Sequence, residues 1–386
     1  MSKKIIKHKN ASFTLEPDGF SIHTFELSRK LTKMEYDRLK DSLYKQQEQS
    51  TQKGWMYKSK NWKGVHICTL YAQYGIRITL EHNESESFDT YFVRMVINPR
   101  KLIEPDCSYL GILPPEESSV KQLKKSFEEL FQESDFEADI NSYQISRVDL
   151  CTNIRCDNKK LFRELVRVLR KLPTPPKYER KAYKHKDKKK ANRYNKHYLR
   201  FGCGTHELVI YDKTYQMQEK DLVISYEKLP EGVLRFEVHC GRQYLRNIEK
   251  KSGEPDTDEL LWQLIQESEK RIVKHFSQCF PDVTFMQTEA IQKKIAKCSL
   301  QGESKKLMLK LVERLQRTQS VDRALEKMEK EGFDTSGLLD RFTKLGVSPI
   351  PLWKNFCAKE LPGPVELLKH ITDGKISVEY VKVKYK

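Results

Sequence analysis

The stretch Val233–His239, Val-Leu-Arg-Phe-Glu-Val-His, alternates apolar and polar residues without a break. Leu234, Phe236 and Val238 fall on one side of an extended chain and Arg235, Glu237 and His239 on the other, the period-2 pattern of a strand with one buried face. Its polar side carries a cation, a carboxylate and an imidazole in a row. Two other strand-like runs carry similar rows. Ile145–Cys151 puts Arg147 and Asp149 on one face, and Leu208–Lys213 puts Tyr211 and Lys213 on one face. As neighbours in one sheet, the three strands would bring these residues together. Two carboxylates and an imidazole, Asp149, Glu237 and His239, are candidate ligands for Mg²⁺ or Mn²⁺, which polarise a phosphate; His239 is alternatively a base. The competing reading is structural, with Arg147–Asp149 and Arg235–Glu237 as ion pairs on a solvent face, since residues i and i+2 point the same way.

A second stretch supplies a partner for such chemistry. Residues 177–200 hold eleven Lys/Arg against two acids, Glu179 and Asp187, a net +9. Tyr178, Tyr183, Tyr194 and Tyr198 are interleaved. Cations for phosphates and rings for bases are what single-stranded nucleic acid requires. The candidate phosphate-binding residues are Lys177, Arg180, Lys181, Lys184, Lys188, Lys189, Lys190, Arg193, Lys196 and Arg200, with Arg147 beside the carboxylates. On this reading residues 177–196 become ordered only when DNA binds; the competing reading is a solvated, disordered loop.

Composition agrees. The 386 residues include 71 Lys+Arg and 54 Asp+Glu, net +17, with a pI of about 9.2. That excess favours a polyanionic partner. No apolar run approaches the ~20 residues of a membrane span, so no membrane partner is expected. The nine cysteines include no Cys-x-x-Cys pair, which argues against a zinc ribbon or disulfide framework. With no apolar signal-peptide core at the N-terminus, a cytoplasmic location is expected.

The elements that must position these residues read as an α+β fold of mostly antiparallel sheets in two related β-α-β-β-β-α halves, followed by a helical C-terminal domain. The first half (1–140) is expected to be architectural and DNA-binding. It starts loosely, with a first strand at 20–27 and a helix opened by the capping box Thr32/Glu35. A hairpin around Gly75, a strand at 90–98 and a helix capped by Ser118 or Ser119 follow. The second half (141–280) carries the chemistry. Its elements are a strand at 145–154, a helix at 158–172, the basic loop 174–197, a hairpin around Gly202 and Gly204, the strand 233–239 and a helix capped by Asp256 or Thr257. Arg94-Met95-Val96 sits in the first half where Arg235-Phe236-Glu237 sits in the second, which suggests a pseudo-repeat whose sheets pack together or merge. From Pro281 helical spacing dominates (305–315, 321–330, 336–345), with a late strand at 376–385. This region is expected to fold separately and to assist origin binding or homodimerisation.

Arg147-Val148-Asp149-Leu150, Ile210-Tyr211-Asp212-Lys213 and Leu234-Arg235-Phe236-Glu237-Val238 resemble, in order and spacing, three signatures of rolling-circle replication initiators of the Rep-trans type and of filamentous-phage gene II-like replication proteins. The likeness covers roughly residues 90–245, and some relaxases of conjugative elements use the same fold. It implies an origin-binding enzyme that nicks one DNA strand. A tyrosine attacks the phosphodiester, giving a 5′-phosphotyrosine and a free 3′-OH that primes synthesis, with a metal held by acidic residues. Asp149 and Glu237 match the acidic positions; Arg147, Arg235 and Lys213 match basic ones. The family tyrosine usually stands just before the hairpin glycine, where this chain has Arg200-Phe201-Gly202. Two candidate nucleophiles remain. Tyr198 comes first, because it leads out of the basic run beside the turn. Tyr211 comes second, because Lys213 on the same strand face would lower its pKa. The expected function is plasmid or phage replication initiation, acting on an origin that is single-stranded at the nick, with host replication proteins as partners. The alternatives are a conjugative relaxase and a non-enzymatic basic DNA-binding regulator.

Overall fold

The computed structural model of the protein describes residues 4–49, 55–60, 63–85, 88–223 and 228–385. Strand β1 (Lys4–Leu31) leads into α1 (Lys33–Gln49) through the Thr32/Glu35 capping box. Then come β2 (Met56–Lys58), β3 (Val65–Cys68), β4 (Ile76–Asn83), β5 (Thr90–Ile97), α2 (Pro99–Ile103) and α3 (Glu117–Phe131). The second half runs β6 (Gln144–Cys156), α4 (Lys159–Leu169), β7 (Glu179–Arg180), α5 (Lys188–Tyr194), β8 (Tyr198–Gly202), β9 (His206–Asp212), α6 (Lys213–Glu219) and β10 (Val233–Gly241). It closes with α7 (Arg242–Ser252), α8 (Thr257–Gln266) and α9 (Ser268–Cys279). The remainder is β11 (Phe285–Met286), α10 (Thr288–Lys297), α11 (Gly302–Arg317), α12 (Val321–Lys330), α13 (Leu338–Lys344), β12 (Glu360–Leu361), α14 (Pro364–His370) and β13 (Lys375–Tyr385).

The fold is α+β. The two halves share one antiparallel sheet in the order β2-β3-β4-β5-β1-β6-β10-β9-β8-β7, with β13 paired to β1. Reading outward from the β1–β6 junction, one side runs β5-β4-β3 and the other β10-β9-β8. The two halves therefore merge into one sheet with a mirrored strand order. β5 and β10 take equivalent places, so Arg94 and Arg235 do as well. Alternation decides which side is packed. Phe25, Leu27, Val93, Met95, Val148, Leu150, Leu208, Leu234, Phe236 and Val238 are all buried. The helices α1, α4, α7, α8 and α9 lie against these strands. The interleaved polar residues line the other face.

Two expectations change. The first strand begins at Lys4, not near 20, because residues 4–14 pair with β13 and residues 13–28 with β6. The C-terminal region does not stand apart. Besides β13, its helices seat on α4 through polar bonds at α4's C-terminal end. Lys171 donates to the Leu315 carbonyl, Val321 N–H donates to the Lys171 carbonyl, and Thr174 bonds the Asp322 carboxylate. A continuous apolar core joins it to the rest. Among the described residues no helix is long and apolar enough to cross a membrane.

Phe236 is fully buried and meets Phe276 of α9 edge-on, with ring centroids 5.2 Å apart. Phe236→Ala should destabilise the protein by about 3–5 kcal/mol, read as a lower urea midpoint in a single transition. A second transition, with the C-terminal helices melting alone, would contradict a shared core.

Candidate active site and nucleic-acid interface

The three chemistry-bearing strands are neighbours. β10 lies between β6 and β9, with His239 opposite Asp149 and Glu207, and Arg235 opposite Asn153 and Tyr211. β8 follows, with Tyr198 opposite Tyr211. Period 2 then puts Asp149, Arg235, Glu237, His239, Glu207, Tyr211, Tyr198 and Arg200 on the polar face of the sheet.

The centre of the cluster is His239. Its Nε2 lies 2.8 Å from Glu237 Oε2 and 3.9 Å from Asp149 Oδ1, and its Nδ1 lies 3.5 Å from Glu207 Oε2. Burial works against a charged imidazole, but the three carboxylates outweigh it and raise the pKa to about 10. Burial would raise Glu237, yet the hydrogen bond and charge of His239 prevail and hold it well below the carboxylate range. Glu207 is depressed against its burial by the hydrogen bonds of His239 and Lys181 and by Arg200.

The arginines take different roles. Arg147 forks onto Asp149 through two bonds of 2.7 and 2.5 Å, while its own side chain is 43 % exposed. The ion pair foreseen as the structural reading does form there. Arg235 does not fit the solvent-face reading: it is 0 % exposed. It donates to Asn153 Oδ1 and the Leu110 carbonyl, both at 2.6 Å, and its Nη1 stands 3.9 Å from Glu237. The loop carrying Leu110 closes this end of the polar face.

The tyrosines also differ from expectation. Tyr211 is buried and donates to Glu237 Oε1 at 2.7 Å. Burial and then Glu237 push its pKa well up. Lys213 is not part of that strand, although it stays close enough to Arg235 and Glu237 to feel their charge. The strand ends at Asp212, whose carboxylate accepts the Tyr215 N–H and caps α6, so Lys213 opens a helix. Lys213 is buried, its Nζ meets Gln216 at 2.9 Å, and burial drives its pKa down. It therefore offers less charge to a phosphate than its sequence position implied. Tyr198 is half-buried rather than exposed, in ring contact with Tyr194 at 5.4 Å and Tyr211 at 6.1 Å. Burial raises its pKa to about 12 against the pull of Arg200. It remains the more accessible of the two candidates.

The basic run is folded, not loose. Asp187 caps α5, Asn195 bonds the Tyr183 backbone on both sides, and the Tyr183 and Tyr194 rings lie 4.2 Å apart. Three of its cations are committed elsewhere. Arg180 bonds the Arg170 and Leu172 carbonyls, and Lys181 and Arg200 hold Glu207. Lys177, Lys184, Lys188, Lys189, Lys190, Arg193 and Lys196 are exposed, and their side chains have no hydrogen-bond or ion-pair partner among the described residues.

Glu207 and His23 were not singled out from the sequence. Glu207 lies two and four positions before Val209 and Tyr211, so strand alternation alone would have found it. His23 is an extra residue at a bulge in β1, between the pairs Ile22/Leu150 and Thr24/Asp149. Burial, then Arg235 and Lys213, hold this imidazole well below its ordinary pKa. Bulges escape period-2 reading.

The donor chemistry of Asp149, Glu237 and His239 suits a hard divalent cation, with Glu207 available to orient the imidazole from behind. As the side chains stand, Arg147 occupies Asp149, and no three His, Cys, Asp or Glu among the described residues converge tightly enough to hold a metal. No protein-family model matches the sequence, and no curated protein matches it.

The His239 cluster has a pH signature. The folded pKa of about 10 lies above the ordinary 6.5, so its stabilisation is complete below about pH 6.5 and drains away as pH rises toward 10. Glu237 and Glu207, facing it, are depressed, so their contribution is present above about pH 4.5 and lost in acid. His239→Gln should flatten the alkaline limb of the urea-midpoint profile between pH 7 and 10. An alkaline limb as steep as wild type's would show that His239 is not protonated in the fold.

Proposed function

We propose that this chain is a DNA strand-nicking and joining enzyme that initiates replication of a plasmid or phage. One observation carries the reading: a carboxylate–imidazole centre and a half-buried tyrosine share a sheet face, and that tyrosine's ring meets Tyr194 of the cation-bearing 177–200 run. Arg147, partly exposed, and the run's lysines meet the phosphates of one strand. Tyr198 attacks the phosphorus, so a Tyr–O–P bond forms and the bond to the 3′ oxygen breaks. The 5′ end stays on the protein, and the 3′ oxygen leaves as a hydroxyl after taking up the phenol proton, which Glu237 relays. Glu237 is the carboxylate nearest the tyrosines and the acceptor for the proton released. Attack by a 3′-OH on the phosphotyrosine reverses the step and rejoins the strand. A divalent ion held by Asp149, Glu237 and His239 would neutralise phosphate charge when bound. A conjugative relaxase would perform the same chemistry for another element.

The test uses a supercoiled circle carrying the coding sequence and its flanking DNA, with Mg²⁺ or Mn²⁺. Wild type should nick it and leave a covalent adduct that peptide mass assigns to Tyr198. Glu237→Ala should lower nicking by at least about 100-fold, in the range for loss of a proton-transfer group, with DNA binding nearly intact. An adduct on Tyr211 would move the nucleophile within the same mechanism. DNA binding with neither nick nor adduct would leave a non-catalytic regulator. Replication or mobilisation of the circle in cells separates initiator from relaxase.

Replacing Lys188, Lys189 and Lys190 with Gln should weaken binding to single-stranded DNA and lower the slope of log K against log salt by about 0.7 for each phosphate that is no longer neutralised. A slope equal to wild type's would make the run a bystander.

A further inference from the structure

Trp353 is 62 % exposed, yet its surroundings are built with buried charge. Glu164 of α4, 4 % exposed, accepts the Trp353 backbone N–H at 2.7 Å. Arg167, one turn along α4, forks onto Glu164 with two 2.7 Å bonds, donates to the Pro351 carbonyl at 2.8 Å, and sets its guanidinium 5.4 Å from the indole centre. Fixing a loop with an ion pair taken out of water is costly. What it achieves here is a large aromatic ring held rigidly toward solvent. Beside that ring lies a cleft of about 510 Å³, which Arg317 of α11 and Lys354 also line; Glu289 is its one acidic lining residue.

The cleft connects to the basic run. One turn beyond Arg167 on α4, the carbonyl of Arg170 accepts from Arg180 of β7. Burial and then the like charge of Arg167 lower the pKa of Arg170; burial also lowers that of Arg180, Asp322 opposes it, and Arg170 and Arg323 add to the lowering. Arg170, Arg180 and Arg323 thus gather around one acid, Asp322, an excess of positive charge that suits a polyanion. β7 is the last strand of the sheet. Arg180 lies on its helix side, over the Phe201 ring, while Lys181 reaches Glu207 on the polar side.

We propose that the Trp353 cleft binds an unpaired nucleotide of a DNA single strand, the base stacked on the indole and its phosphates on Arg317 and Lys354. The strand reaches the cleft from the polar face by passing round the β7 edge, along Arg180, Arg170 and Arg323. The inference rests on the DNA-binding part of the proposed function and is independent of cleavage.

The experiment measures equilibrium binding of the full chain to fluorescent (dT)20 and to a blunt 20-bp duplex, without divalent metal. Trp353→Ala should weaken (dT)20 by about 5- to 150-fold, the range for losing one stacked base, and change duplex affinity less than about twofold. Trp353→Phe should recover most of the loss. The Arg317→Gln/Lys354→Gln double variant should lower the single-strand salt slope by about 1.4, for two phosphates. Full (dT)20 affinity in Trp353→Ala would overturn the cleft assignment while leaving the proposed function in place. So would equal losses for single strand and duplex. Wild type that binds no single-stranded DNA would overturn the proposed function together with this inference.

Discussion

A charge withdrawn from water has to find its compensation inside the protein, and this sheet withdraws several on one face. Arg235 has no exposed surface; Asn153 and the Leu110 carbonyl take its Nε and Nη2 hydrogen bonds, and Glu237 stands 3.9 Å from the Nη1 that no hydrogen bond satisfies. Glu237 is satisfied by His239 and Tyr211. These partners come from four separate segments, so the network exists in one register only. A one-residue slip of β10 would turn Arg235, Glu237 and His239 into the apolar helix layer and bring Leu234 and Phe236 out. The candidate site and the register of the central strands are therefore fixed by the same interactions.

The first half shows the same architecture without that demand. Arg94, in the place equivalent to Arg235, pairs with Glu26 at 3.2 Å and Glu81 at 2.9 Å and stays about one-third exposed. Its pairs are closed and half-solvated, and no histidine stands among them. In the second half, three carboxylates face Arg147, Lys181, Arg200, Arg235 and a protonated His239. Cation outweighs anion there, as the proposed phosphate chemistry requires.

Much of this arrangement was legible from local pattern. Period-2 alternation gave β5, β6 and β10 to within two residues at each end, and helical spacing gave α12 at its observed ends, because each of those segments obeys one periodicity from end to end. The polar rows of Arg147/Asp149 and Arg235/Glu237/His239 were visible for the same reason. What escaped depends on non-local chemistry. Residues 4–14 look polar and loose alone and become a strand only against β13. The Asp212 cap ends β9 one residue early and puts Lys213 in the first turn of a helix instead of in the strand. The folding of the 177–200 run depends on Asn195 and stacked tyrosines, which a charge count does not register. His23 comes in through a bulge, where alternation fails.

The pairing of β1 with β13 bears on how the chain is made. Residues 4–14 wait for partners about 360 to 380 residues later in the sequence. At ribosomal speeds of about 5–20 residues per second, that is roughly 20 to 75 s. Throughout that interval one flank of the molecule's longest strand, which also borders both halves, has open backbone groups. Such an edge is a template for pairing with another nascent chain. A cell making this protein from crowded polysomes therefore has reason to shield its N-terminal segment until the last strand emerges, and over-expression should fail first by aggregation through that edge.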